Sequence, residues 1–96
     1  MDIIVKDHFR TVIRKFLDNE LSDWIEWDDI LSVRHKDDPL SENISLLCAA
    51  LTGADYYNNG DSETRKNSDN LLEELYARLE GDEDVLDLWV LQTLNR

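Results

Sequence analysis

The stretch ENISLLCAALT, residues 42–52, decides how this chain folds. Past Glu42 and Asn43 it is apolar on nearly every side of a helix, with no glycine or proline to break it. A helix with so little polar face belongs at the centre of a bundle. Ser41 stands where it can cap the start and Gly53 where it can end it. The rest of the chain must then supply the walls.

It has the pattern to do so. Phe9, Val12, Ile13, Phe16 and Leu17 recur at helical spacing, followed by Leu21, Trp24 and Ile25. Ser22, as an N-cap, divides this run into helices over 3–19 and 22–35. Pro39 breaks the chain at RHKDDPL, residues 34–40, because it disfavours helix at Asp38. Further on, Ser68 or Asp69 starts a helix whose Leu71, Leu72, Leu75, Tyr76 and Leu79 form one stripe, closed by Gly81. Asp82 caps the last helix, which sends Val85, Leu88, Trp89 and Leu94 toward the core. No segment alternates like a strand. The expectation is an all-α protein, a compact bundle of about five short helices, with residues 1–96 forming a single domain.

Charge narrows the choice of partners. The chain has 22 acidic residues against 10 basic ones, a formal charge of −12. Such a charge favours a soluble monomer when the protein is free and disfavours nucleic acid and anionic membrane, both polyanions. The natural complement is a basic protein partner. The acids are also unevenly placed. Residues 1–15 carry Lys6, Arg10, Arg14 and Lys15 against Asp2 and Asp7, whereas residues 16–31 carry Asp18, Glu20, Asp23, Glu26, Asp28 and Asp29 with no base. Bases of the first helix can lie against acids of the second. The only cysteine, Cys48, reads as a small buried hydrophobe, so no disulfide forms within the chain. The first ten residues lack a signal-peptide pattern and no apolar run spans a bilayer, which points to a cytoplasmic location. The sequon at residues 43–45 is a chance match in that setting.

The second helix mixes roles. Leu21, Trp24, Ile25, Trp27 and Leu31 make one apolar arc with Asp28 set inside it, while Ile30 and Val33 fall outside. Trp24 reads as a core anchor. Trp27 is divided between the core and a partner; if both tryptophans are core anchors, Asp28 would be held by Arg10 or Arg14. Asp23, Glu26 and Asp29 are expected to face the partner.

Catalytic and metal chemistry find little support. Aligning Asp55 with the first position of a calcium loop places Asn59 and Gly60 suitably, but puts Tyr57 at the third position and Lys66 at the twelfth, where the ion needs oxygen. His8 and His35 have no accompanying cluster of zinc ligands, and no glycine-rich phosphate loop is present. Ser41, Ser45 and Ser68 are better placed as caps than as nucleophiles. The expectation is a protein without enzymatic activity, metal or cofactor. What remains is recognition. GADYYNNGDSETRKNSDN, residues 53–70, reads as a polar loop in which Asp55, Tyr56, Tyr57, Asp61 and Glu63 combine rigid aromatic anchors with steering charge.

A small acidic helical chain with GADYY between an apolar helix and SDNLLEEL resembles bacterial toxin-immunity proteins, those for nuclease colicins and for contact-dependent inhibition toxins. In the colicin group a turn with paired tyrosines and a preceding acidic helix grip a basic nuclease. Tyr56 and Tyr57 match that pair, Asp55 the acid before it, and Asp61 and Glu63 fall in the acidic stretch after it. The match covers residues 41–80 and has departures. The colicin group has four helices and a proline soon after the tyrosines, where this chain has Asn58 and reads as five helices. A different immunity family fits better. The resemblance implies an immunity protein that binds and neutralises a toxin domain, most often a nuclease. Two other readings of the same acidity stay open: a DNA-mimic inhibitor of a restriction, CRISPR or repressor protein from a mobile element, and an acidic adaptor or regulatory subunit.

Overall fold

The first helix shows how local chemistry sets the boundaries. In a computed structural model, α1 runs Ile3–Leu17, with the Asp2 side chain accepting a hydrogen bond from the Ile4 N–H at 2.8 Å. It ends on Asn19, whose φ of 58° is left-handed. There the Asn19 N–H donates to the Phe16 carbonyl at 3.2 Å and the Glu20 N–H to the Lys15 carbonyl at 2.7 Å. These two bonds close a Schellman motif and satisfy carbonyls that the helix end would leave open. The chain thereby reverses toward α2, Trp24–Leu31.

The structure describes residues 1–21, 24–31, 38–53 and 62–95, with Trp24 and Leu31 described by their backbone alone. Three more helices complete it: α3 Pro39–Leu51, α4 Ser62–Arg78 and α5 Glu83–Leu94. The described residues contain five helices and no strand, so the protein is all-α as its periodicity predicts. Helix α3 packs on α2, α4 and α5, and α1 packs on α2 and α4. The apolar stretch 42–52 thus holds the bundle's centre, although Leu46 on its outer side is 47% exposed. The radius of gyration is 12.7 Å, close to the roughly 12.5 Å of a compact chain this long.

Some boundaries and faces differ from the sequence-based expectation. Helix α3 starts before Ser41, because Asp38 is the cap and Pro39 the first helical residue. The Asp38 carboxylate accepts from the Ser41 N–H at 3.3 Å and from its hydroxyl at 2.6 Å. A proline that ends one element also suits the first turn of the next, where its missing N–H costs nothing. Helix α4 starts at Ser62 rather than Ser68, which takes residues 62–67 out of the expected loop. Its apolar stripe is as read, with Leu72, Leu75 and Leu79 buried and Leu71 and Tyr76 packed beside them. Asp82 caps α5 as expected, accepting from the N–H groups of Asp84 and Val85 at 2.8 and 3.2 Å. The face of α5 is turned, however. Leu86, Trp89, Val90 and Thr93 are buried, whereas Val85 and Leu88 face outward.

Candidate protein-binding surface

Helix α2 carries most of the described acids expected to meet a partner, and its inner face is firmly held. The Trp27 ring stacks on Phe16 of α1 with centroids 4.3 Å apart, and its indole N–H donates to Thr52 Oγ1 at 3.0 Å. Thr52 donates in turn to the Cys48 carbonyl at 2.7 Å, satisfying its own hydroxyl. Ile30 is fully buried, and its carbonyl accepts from the Ser45 hydroxyl of α3. These contacts fix both the rotation and the height of α2 on the bundle.

Trp27 is therefore a core residue, 2% exposed, which is one of the two roles left open for it, and it is not the surface anchor of the other. Ile30 likewise belongs to the core that the predicted arc excluded. The physical reason is rotation. With Trp27 and Ile30 inward, the residues opposite them are Ile25, Asp28 and Asp29, and all three are exposed. Ile25, assigned to the core by its spacing, is 62% exposed. Asp28 is not held by Arg10 or Arg14. Among the described residues no ion pair reaches Asp28 or Asp29. Asp28 and Asp29 follow Ile25 by three and four positions, so on a helix they flank it one turn on.

Glu26 faces α1 rather than a partner. Its Oε1 lies 3.1 Å from Lys15 Nζ, and its Oε2 is buried without a hydrogen bond among the described residues. Glu63 is exposed in the first turn of α4, a favourable place for a carboxylate at a helix N-terminus. Asp23, Asp55, Tyr56, Tyr57 and Asp61 lie outside the described residues.

Three of the bases of α1, Arg10, Arg14 and Lys15, are used internally. The Arg14 guanidinium makes two bonds to Glu73, at 2.9 and 3.0 Å, and two to Asp18, at 2.9 and 3.2 Å. Bonding to Glu73 first, and to Asp18 next, raises Arg14 above its ordinary value, while Arg14 holds Glu73 below the usual carboxylate range. Arg10 pairs with Glu80, and both guanidinium carbons lie over the Tyr76 ring, at 5.0 and 5.2 Å. Arg10, Arg14 and Lys15 also line an open groove of about 450 Å³ beside Tyr76, but each is already engaged by a carboxylate. The N-terminal ammonium lies 2.9 Å from Glu83, which raises its pKa. Such half-exposed pairs add little stability. Their consequence is electrostatic, since they engage Arg10, Arg14, Lys15 and Arg78 away from the outer face of α2, whose Asp28 and Asp29 meet no cation among the described residues.

Among the described residues no group of three His, Cys, Asp or Glu side chains is arranged to hold a metal, and no helix is long and apolar enough to cross a membrane. Cys48 is fully buried, and burial pushes its thiol up to about 12. Ile25 and Asp28 are the surface residues that periodicity missed; the signal available was the Trp27–Ile30 pair, which defines an alternative inward face. Comparison with protein-family models, with curated proteins and with solved structures gave no match.

Proposed function

We propose that the protein acts by stoichiometric binding of a basic protein domain, as a toxin-immunity protein does, and that the outer face of α2 is part of the contact. The observation that carries this reading is an exposed Ile25 with Asp28 and Asp29 beside it, on a helix whose inner face is locked by Trp27 and Ile30. An apolar centre with a charged rim is the usual anatomy of a protein interface. Rim carboxylates steer a basic partner and raise its association rate, and the desolvated centre slows its departure. A nuclease domain suits this surface, because a site built for phosphates presents the cations that these acids match. Tyr56 and Tyr57, with Asp55 and Asp61, enter the proposal on sequence grounds as further anchors and steering charge.

The test is co-expression with the product of each neighbouring gene, followed by affinity capture with the native chain and with Ile25→Ser/Asp28→Asn/Asp29→Asn. The expected result is a basic partner captured in equimolar amount by the native chain and at least tenfold less by the variant at equal helicity. Equal capture by both removes α2 from the contact, and the absence of any basic partner removes the proposal.

A further inference from the structure

Helix α5 has a second apolar face that the bundle does not use. Its inner side, Leu86, Trp89, Val90 and Thr93, is buried. On the outer side Val85, Leu88 and Leu91 follow one another at intervals of three and are 55%, 59% and 40% exposed. Singly exposed apolar residues are ordinary, but three on successive turns form a continuous ridge. A carboxylate stands one turn before each leucine, Asp84 before Leu88 and Asp87 before Leu91. Between residues 79 and 95 there is no lysine or arginine; Glu80 and Glu83 are paired with Arg10 and the N-terminal ammonium, and Asp82, Asp84 and Asp87 make no ion pair among the described residues. Of the two bases that flank this run, Arg78 is held by Glu74 at 2.9 Å and lies over the Trp89 ring, and Arg96 lies outside the described residues.

We infer that the ridge Val85–Leu88–Leu91 is a docking surface for a basic amphipathic helix, one with an apolar stripe bordered by lysine or arginine. Shape and charge both select this occupant. A helix of α5's length is about 18 Å long and presents a strip about 10 Å wide, so the footprint fits one helix laid along it. A second copy of this chain fits poorly. Two-fold pairing along the ridge would bring two acidic surfaces together with no lysine or arginine between residues 79 and 95 to offset them. The strip also falls well short of the roughly 800 Å² per partner of a standard stable interface. A basic helix instead meets the acids with opposite charge and buries the same leucines. The inference rests on α5 alone and does not require the α2 face.

The test uses the isotopically labelled protein at physiological salt and a synthetic helical peptide of leucine and lysine, with its leucines on one face. A peptide of the same composition, with the leucines spread around the helix, is the comparison. The expected result is saturable shifts of the backbone resonances of residues 84–92, at least tenfold weaker with the scattered peptide. In Leu88→Asp the affinity should fall at least tenfold, while Leu88→Met, which keeps an apolar side chain, should bind within threefold of the native chain. Shifts spread over the whole acidic surface, equal for both peptides and unchanged in Leu88→Asp, would overturn the inference while leaving a charge-driven partner for α2 intact. Self-association of the free protein that Leu88→Asp abolishes would overturn it too, by making a second copy the occupant.

Discussion

Replacing Trp27 by alanine tests whether α2 is oriented as described. A tryptophan side chain buries about 150–250 Å², and at about 25 cal/mol per Å² its transfer from water is worth about 4–6 kcal/mol. The ring is 2% exposed, so nearly all of that applies here. Alanine recovers a little, and the walls around Phe16 and Ile30 relax into part of the cavity, which brings the loss into the usual range of about 3–5 kcal/mol. Loss of the indole donor leaves Thr52 Oγ1 with its bond to Cys48 alone, worth about 1 kcal/mol within that range. A chain of this size is stable by roughly 5–14 kcal/mol, so the variant should fold but lie near its limit. Urea unfolding followed by far-ultraviolet circular dichroism reads the change directly. With a slope of about 1–3 kcal/mol per molar, the midpoint should fall by more than about 1 M. Ile25→Ala, on the opposite side of the same helix, should stay within about 0.5 kcal/mol of the native chain. A Trp27→Ala variant as stable as the native protein would mean that the ring lies at the surface, and would return it to the partner's side of the ledger.

Three further outcomes follow from local geometry. Asn19, at φ 58°, should tolerate glycine without loss, whereas alanine should cost about 1 kcal/mol in the same unfolding assay, because a side chain without a local polar group resists the left-handed region. Glu73 has its folded pKa lowered by Arg14, so its contribution is present above the unfolded carboxylate value and is lost as pH falls through the folded one. Glu73→Gln should therefore cost less than about 1 kcal/mol at pH 7, given the pair's exposure, and the gap to the native chain should close in acid. Cys48, with its thiol raised to about 12 and fully buried, should resist a thiol reagent at pH 8 until the protein unfolds; rapid labelling of the folded chain would contradict its burial.

What the sequence made legible follows the strength of its patterns. The stripe Leu72–Leu75–Leu79 stands on an otherwise polar helix, so periodicity picks its face without ambiguity. Asp82 is equally plain, being an acid between a glycine and a helical run. Helix α5 defeats the same method, since Val85, Leu86, Leu88, Trp89, Val90, Leu91 and Leu94 ring it almost completely and several faces score alike. Helix α2 is only two turns long, and its aromatic and aliphatic residues allow two inward faces. Packing of Trp27 on Phe16 chooses between them. The first turn and a half of α4 has no apolar residue to betray it, yet Glu63, Arg65 and Lys66 are good helix formers that extend a helix anchored further on. The acidity was legible from composition. Which acids pair with a base was not, because that depends on contacts such as Arg14 reaching Glu73 across 59 positions of chain.

If the outer acids of α2 draw in a basic partner, salt must weaken that attraction. The association rate with the captured partner, measured as a function of salt for the native chain and for Asp28→Asn/Asp29→Asn, reads this steering directly. Exposed charges act over about 8 Å at physiological ionic strength, so steering by them is erased by added salt, while dissociation from a desolvated centre changes much less. The native chain should lose at least tenfold in association rate between low and high salt, and the double variant should start slower and show a shallower slope. Identical salt slopes for the two proteins, or an association rate indifferent to salt, would contradict the claim and leave the charge of −12 as a matter of solubility alone.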